Sequence, residues 1–261
     1  MCFALFMVML DNTVVNVALP SIQRDLGASI SQLEWVVNGY TLTFAVLIAT
    51  GGRLGDIFGR RLLFLAGVVI FAITSATAGL AQDPAMLIGS RAIQGVGGAL
   101  MLPATLSIIT HAFPVSERGK AIGMWAGVSA LALSIGPVVG GFLTEYVTWR
   151  AIFFINLPVA VAAVIVTVFA VGESRDETVD RRVDYPGVVT LTAGLTAIVL
   201  ALIEGNSWGW GSTETISLLT GGALALVAFV ANELRSPAPM VEFALFKTRQ
   251  FIGATSVAFI I

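Results

Sequence analysis

Apolar residues run along the chain in blocks of about 20 or more, far wider than a strand of about four to eight residues. Polar interruptions place spans at 2–22, 34–52, 62–80, 84–112, 119–143, 151–171, 187–204 and 214–232. A ninth block opens near residue 250 and runs to Ile261. A bilayer core about 30 Å thick takes about 20 helical residues. Each of the first eight blocks is therefore long enough for one crossing. The ninth reaches ~18 Å by helical rise, about half a bilayer. The first block starts at once, with no basic tail before it. The pattern predicts an all-α polytopic membrane protein. It also predicts that the chain is a fragment of a longer one, with eight complete crossings and the start of a ninth.

Composition agrees with the pattern. Only 11% of residues are charged, against about 25% in soluble domains. That excludes a soluble enzyme, a disordered chain and a nucleic-acid binder, and makes the lipid bilayer the first partner. The net charge of -2 says nothing more. Cys2 is the single Cys and His111 the single His. Neither an intrachain disulfide nor a Cys/His metal site can be built from them. There is no Ser/His/Asp set and no G-x-x-x-x-G-K-[ST] phosphate loop. No enzyme, metal or cofactor is expected, and no energy from nucleotide hydrolysis within this chain.

Basic residues fix the expected orientation. Arg53, Arg60, Arg61, Arg118, Lys120, Arg175, Arg181, Arg182, Arg235, Lys247 and Arg249 fall in the loops after even-numbered spans, eleven of the 14 Lys and Arg. Arg24 and Arg150 fall on the other side, and Arg91 within a span. By the positive-inside rule the first side, and the N-terminus, are cytoplasmic. Residues 172–186 are charged and polar and read as a solvated linker between bundles.

The chain also echoes itself. Gly51-Gly52-Arg53-Leu54-Gly55-Asp56, followed by Arg61, returns as Gly140-Gly141-Phe142-Leu143-Thr144-Glu145, followed by Arg150. Leu19-Pro20 returns as Leu102-Pro103. Each long stretch closes the second helix of a three-helix set. Three is odd, so the second set is inverted, as in one transporter architecture. Glu145 and Arg150 should then form an outer counterpart of an Asp56/Arg61 gate.

Four motifs carry candidate chemistry. Gly52-x-Leu54-x-Asp56-x-x-Gly59-Arg60-Arg61 joins spans two and three. Its glycines allow a tight approach and turn, and its Asp can accept from helix-end amides or pair with Arg. It reads as a gate or, more plainly, as a basic topology loop. Arg91-x-x-Gln94-Gly95-x-Gly97-Gly98 lies inside span four. A mid-span charge costs at least ~2.5–3.5 kcal/mol, so Arg91 needs a partner, unless it snorkels to the outer surface. Asp11 lies in span one, ~17 Å from its outer end, and Arg91 lies at ~10 Å. The gap of ~6–7 Å is within an extended Arg's reach, so the two are expected to meet in at least one state. Parting a buried carboxylate from a guanidinium favours proton uptake, and rejoining them favours release. The plainer alternative is an Asp bonded to its neighbours for structure. Ala132-x-x-x-Gly136-Pro137-x-x-Gly140-Gly141 in span five combines small packing residues with a helix-kinking Pro, which suits a hinge. Gly95 and Gly98 belong to the same packing group. Asn16, Trp35, Asn38, Tyr40, Gln94 and Asn156 are candidate cavity residues, each equally readable as a helix–helix contact. Trp149 reads best as an aromatic-belt residue.

Together these motifs resemble the major facilitator superfamily. Gly52 to Arg61 is similar to its signature between spans two and three, and Arg91 to Gly98 to that of span four. Gly136-Pro137 to Gly141 resembles the span-five signature of antiporters. Leu10 to Pro20, Trp35 to Tyr40 and Trp149 to Pro158 resemble the fourteen-span drug:proton antiporter branch.

The resemblance implies a six-helix N-terminal bundle of 3+3 inverted repeats at 1–171, the charged linker at 172–186 and an inserted helix pair at 187–232. A cytoplasmic loop at 233–249 and the start of a C-terminal bundle at 250–261 would follow. It implies Asp11 and Arg91 as proton-coupling residues and Asp56 as part of the cytoplasmic gate. The function it implies is proton-driven efflux of small amphipathic or cationic organic compounds across the bacterial inner membrane. The proton gradient would be the energy source, and the missing C-terminal bundle a required partner. A carrier of one specific metabolite and a non-transporting membrane scaffold are the alternatives.

Overall fold

A computed structural model describes residues 1–175, 183–236, 239–241, 243, 248, 251–253 and 255–256. The middle of the charged linker, part of the 233–249 loop and most of the ninth block lie outside the described residues, with Arg181, Arg182, Lys247 and Arg249 among them. Every regular element longer than one turn is an α-helix among the described residues. In chain order these are α1 (Cys2–Leu26), α2 (Ile30–Phe58), α3 (Arg60–Gly79), α4 (Pro84–Ala112), α5 (Val115–Tyr146), α6 (Ala151–Phe154), α7 (Asn156–Ala170), α8 (Tyr185–Trp208) and α9 (Thr213–Glu233). With α6 and α7 taken as one span, eight helical segments among the described residues are long and apolar enough to cross a membrane. The chain divides into two compact units, Met1–Arg181 and Arg182–Ile261.

Several helices outrun their apolar blocks because caps, not hydropathy, end them. α1 continues to Leu26, where Gly27 takes the left-handed conformation (φ 62°) that stops a helix. Ser29 opens α2 through a capping box: its hydroxyl accepts from the Gln32 amide while the Gln32 side chain accepts from the Ser29 amide. Asp83 caps α4, accepting from the Met86 amide, and Pro84 occupies the first turn. The expected loop between spans two and three is mostly helix. Gly52 to Phe58 belong to α2, Arg60 begins α3, and Gly59 alone (φ 121°) makes the break. In the sixth span, Pro158 lacks the N–H that would bond the Phe154 carbonyl, and the helix is interrupted at Ile155.

In the first unit, α2 packs most extensively on α4 and α1 on α5. Under an inverted repeat that exchanges α1 with α4 and α2 with α5, these are the same contact. The echoed glycines make it. A Cβ on Gly51 of α2 would lie 2.2 Å from the Ala99 carbonyl of α4, and one on Gly140 of α5 would lie 3.0 Å from the Val14 Cα of α1. Gly95 and Gly136 serve the same two interfaces, against Tyr40 and Thr43 and against Thr13. Close backbone approach replaces the hydrophobic effect, which lipid does not supply between helices. Gly141 has no such role: a Cβ there would meet nothing within 4 Å, because it points away from α1.

The core falls into two apolar clusters. One gathers Leu10, Val14, Val15, Ala18, Ala132, Ile152 and Phe153; the other Met7, Val8, Phe64, Phe71, Met101 and Ala160. Asp11 sits between them along α1. In the second unit, α8 and α9 form a hairpin in which Gly194 and Gly222 abut. Asp184 caps the first turn of α8 through the Gly187 amide and accepts from Asn232 of α9.

Gly51→Ala should lower the stability of the detergent-solubilised protein by about 1–3 kcal/mol, because the Ala99 carbonyl is backbone and cannot yield cheaply. Gly55→Ala in the same helix, with open space around it, should leave the midpoint unchanged or raised. Thermal unfolding followed by tryptophan fluorescence checks both.

Candidate functional site

Asp11 and Arg91 meet in the middle of the first bundle. Arg91 Nη1 lies 2.5 Å from Asp11 Oδ2, with the side chains 1% and 0% exposed. A lone buried charge is costly, and a buried pair is tolerated only when its remaining hydrogen-bonding capacity is filled. Here it is. Arg91 Nη1 also donates to Gln94 Oε1 (2.8 Å), and Nε donates to the Val36 carbonyl of α2 (3.2 Å). The guanidinium lies over the Tyr40 ring, 4.3 Å from its centroid, in a cation–π contact. Asp11 Oδ1 accepts from Gln94 Nε2 and Asn156 Nδ2, each at 3.1 Å. Asn156 Nδ2 also donates to Ser75 Oγ (2.9 Å), and Ser75 donates to the Phe153 carbonyl at 2.8 Å. Five spans thus converge on one carboxylate and one guanidinium.

Three expected cavity residues belong to this cluster instead. Tyr40, Gln94 and Asn156 are 0–1% exposed; the ion pair draws polar side chains inward to complete its bonds. Asn16 is exposed, with its amide on the Asn12 carbonyl, and Trp35 and Asn38 are half-buried. Gly98 packs against the Tyr40 and Phe44 side chains. Pro137 lies within α5 on an exposed face, one residue from Gly136 and its Thr13 contact.

The basic end of the bundle carries the α2–α3 motif. Arg60, not Arg61, pairs with Asp56: its Nε and Nη2 lie 3.0 and 2.8 Å from Asp56 Oδ1. The single-residue break at Gly59 keeps Arg60 above Asp56 and turns Arg61 toward the sixth span, where it donates to the Val168 carbonyl (2.9 Å). A carboxylate that the sequence reading missed completes the corner. Glu173, just past α7, accepts from the Arg61 and Leu62 amides at 3.0 and 3.1 Å. It caps the positive end of α3, and a Cβ on Gly59 would collide with it at 2.7 Å. Gly52 lies in ordinary contact with Pro103.

Glu145 lies in the last turn of α5, at the opposite end of the bundle from Asp56. It is exposed and forms no ion pair with Arg150 among the described residues. Arg150 reaches Asp25 at the end of α1 instead (Nη1–Oδ2 2.5 Å) and donates to the Ala81 carbonyl (3.0 Å). The turn after α5 carries Arg150 across the end of α1, while the last turn of α5 points Glu145 outward. Trp149 is 4% exposed and donates to Asp25, so it packs as part of this clasp and not as a lipid-facing belt residue. Asp25, Glu173 and Ser75 are the functional candidates the sequence did not reveal.

The Major Facilitator Superfamily model matches residues 1–260. The puromycin resistance protein pur8 of Streptomyces alboniger is 43% identical over 241 residues, 91% of this chain and 47% of that protein. The tetracenomycin C resistance and export protein of Streptomyces glaucescens is 40% identical over 242 residues, covering 93% and 45%. The multidrug resistance protein Stp of Mycobacterium tuberculosis is 38% identical over 248 residues, covering 95% and 46%. The chain spans about half the length of the curated relatives it matches. A peptide transporter crystal structure superposes with a TM-score of 0.61 at 17% identity, over 90% of this chain and 52% of that one.

Arg91→Met should destabilise the protein by about 3–5 kcal/mol, since it leaves Asp11 buried without a cation. Adding Asp11→Leu should recover most of that loss. Thermal unfolding of both variants in detergent checks this; a double variant no more stable than the single would contradict it.

Proposed function

This chain belongs to the Major Facilitator Superfamily, and on that premise we propose that it forms the first bundle and inserted helix pair of a proton-coupled drug exporter. The exporter belongs to the fourteen-span branch and works by alternating access. It sits in the bacterial inner membrane with its N-terminus in the cytoplasm, the orientation that the basic loops favour. Its substrates are amphipathic or cationic organic compounds. The export and resistance functions in the names of its relatives support this class.

The observation that carries the reading is the buried Asp11–Arg91 pair. In the joined state the Asp11 carboxylate is met only by hydrogen-bond donors, the arrangement that suits an ion pair. A proton reaching Asp11 removes one of the pair's two charges and with it their Coulombic attraction. Arg91 is not stranded by this, because Gln94, the Val36 carbonyl and the Tyr40 ring continue to hold it. The cost of neutralising Asp11 is thereby kept small enough for a cycle. Protonation then loosens α1 from α4, and the two ends of the bundle open and close in turn. Asp56–Arg60 with Glu173 secures one end, and Asp25–Arg150 the other.

Asp11→Asn in the full-length protein should cut proton-driven ethidium efflux from cells or inverted vesicles by an order of magnitude or more while membrane insertion persists. Unchanged efflux that still collapses with a protonophore would overturn the reading.

A further inference from the structure

The proton-coupling reading leaves a chemical gap at Asp11. Every side chain that hydrogen-bonds to the carboxylate does so as a donor: Arg91, Gln94 and Asn156. A protonated Asp11 carries an O–H that needs an acceptor, and an unsatisfied buried donor is penalised. One of the three neighbours has to change what it offers.

Arg91 has no acceptor to offer. Gln94 is pinned, since its Oε1 takes a bond from Arg91 while its Nε2 gives one to Asp11. Turning its amide over would set an NH2 group against the guanidinium. Asn156 is different. Its residue is 1% exposed, and its Oδ1 is buried with no hydrogen-bond partner among the described residues. Its Nδ2 makes both of its bonds, to Asp11 and to Ser75 Oγ. Turning this amide over forfeits no bond at Oδ1 and brings an acceptor to both partners; its Nδ2 hydrogens leave Asp11 and Ser75 for the place of Oδ1, where they need an acceptor of their own. Ser75 can follow, because its hydroxyl hydrogen rotates freely between the Phe153 carbonyl and Asn156.

We propose that the side-chain amide of Asn156 is a two-position switch that reads the protonation state of Asp11. With Asp11 ionised, the amide NH2 faces the carboxylate. When a hydronium ion entering from solution breaks one of its O–H bonds and the proton forms an O–H bond at Asp11 Oδ1, releasing water, the amide rotates by half a turn and its Oδ1 accepts that hydrogen. Loss of the proton reverses the rotation. Among the described residues, the charged or titratable side chains facing Asp11 from the packed helices are Arg91 of α4 and Tyr40 of α2; α5, α6 and α7 bring none. Asn156 is a positioning residue: it tells the sixth span, through Ser75 and α3, whether the site is loaded. The inference rests on the proton-coupling reading and deepens it.

Infrared difference spectra of the purified full-length transporter test it, with asparagine labelled at the side-chain carbonyl and pH stepped from high to low. As the acid carbonyl band of Asp11 grows in, one asparagine carbonyl band should move to lower frequency, from a free carbonyl to a hydrogen-bonded one, over the same pH range. Asp11→Asn should abolish both changes. Asn156→Leu, or Asn156→Ser if that variant folds better, should remove only the asparagine change. An Asp11 acid band with every asparagine band fixed would overturn the switch alone. Absence of the acid band across the pH range would overturn the proton-coupling reading, and the switch with it.

Discussion

A carboxylate and a guanidinium placed between two apolar clusters set the terms for the first bundle. Neither Asp11 nor Arg91 can stay charged inside the membrane alone. Each therefore recruits polar partners from other spans: Val36 and Tyr40 from α2, Gln94 from α4, Ser75 from α3 and Asn156 from the sixth span. The result is a polar knot that ties α1 to every helix of the bundle but α5. Thr13 of α1, two residues away, supplies that contact through Gly136.

Helix approach is what makes the knot possible. Side chains on Gly51 or Gly95 would push α2 from α4, the interface that Arg91 crosses to reach the Val36 carbonyl, and one on Gly140 would push α5 from α1. The inverted repeat supplies the same close contact twice, once on each side of the ion pair. It also leaves the ends unequal. At the basic end a carboxylate caps a helix across a glycine break, and at the opposite end an arginine clasps Asp25 and Ala81. These are partly exposed bonds between helix ends, whereas the central pair is fully buried.

The sequence made some of this legible and hid the rest. Counting helical rise from span ends was enough to bring Asp11 to Arg91, because both sit on long regular helices. The eight spans were visible as apolar blocks, but their ends were not, since Gly27 and Ser29 decide those by capping. Arg60 and Arg61 are neighbours whose side chains point about 100° apart on a helix, so the choice of partner for Asp56 turned on where the break fell. Glu173 and Asp25 were hidden for a different reason. A single carboxylate at the end of a span has no periodicity, and its partner lies over a hundred residues away in the chain. Asn156, Gln94 and Tyr40 read as cavity residues because polarity in an apolar span does not reveal which way a side chain faces.

The most direct test of the central pair is a proton count. The purified full-length transporter, held in weak buffer with a pH indicator, is titrated with a cationic dye substrate. If substrate binding and proton binding compete through Asp11, the dye releases protons from the wild-type protein and none from Asp11→Asn. Equal proton release from both proteins would contradict the assignment of the coupling site to the Asp11–Arg91 pair.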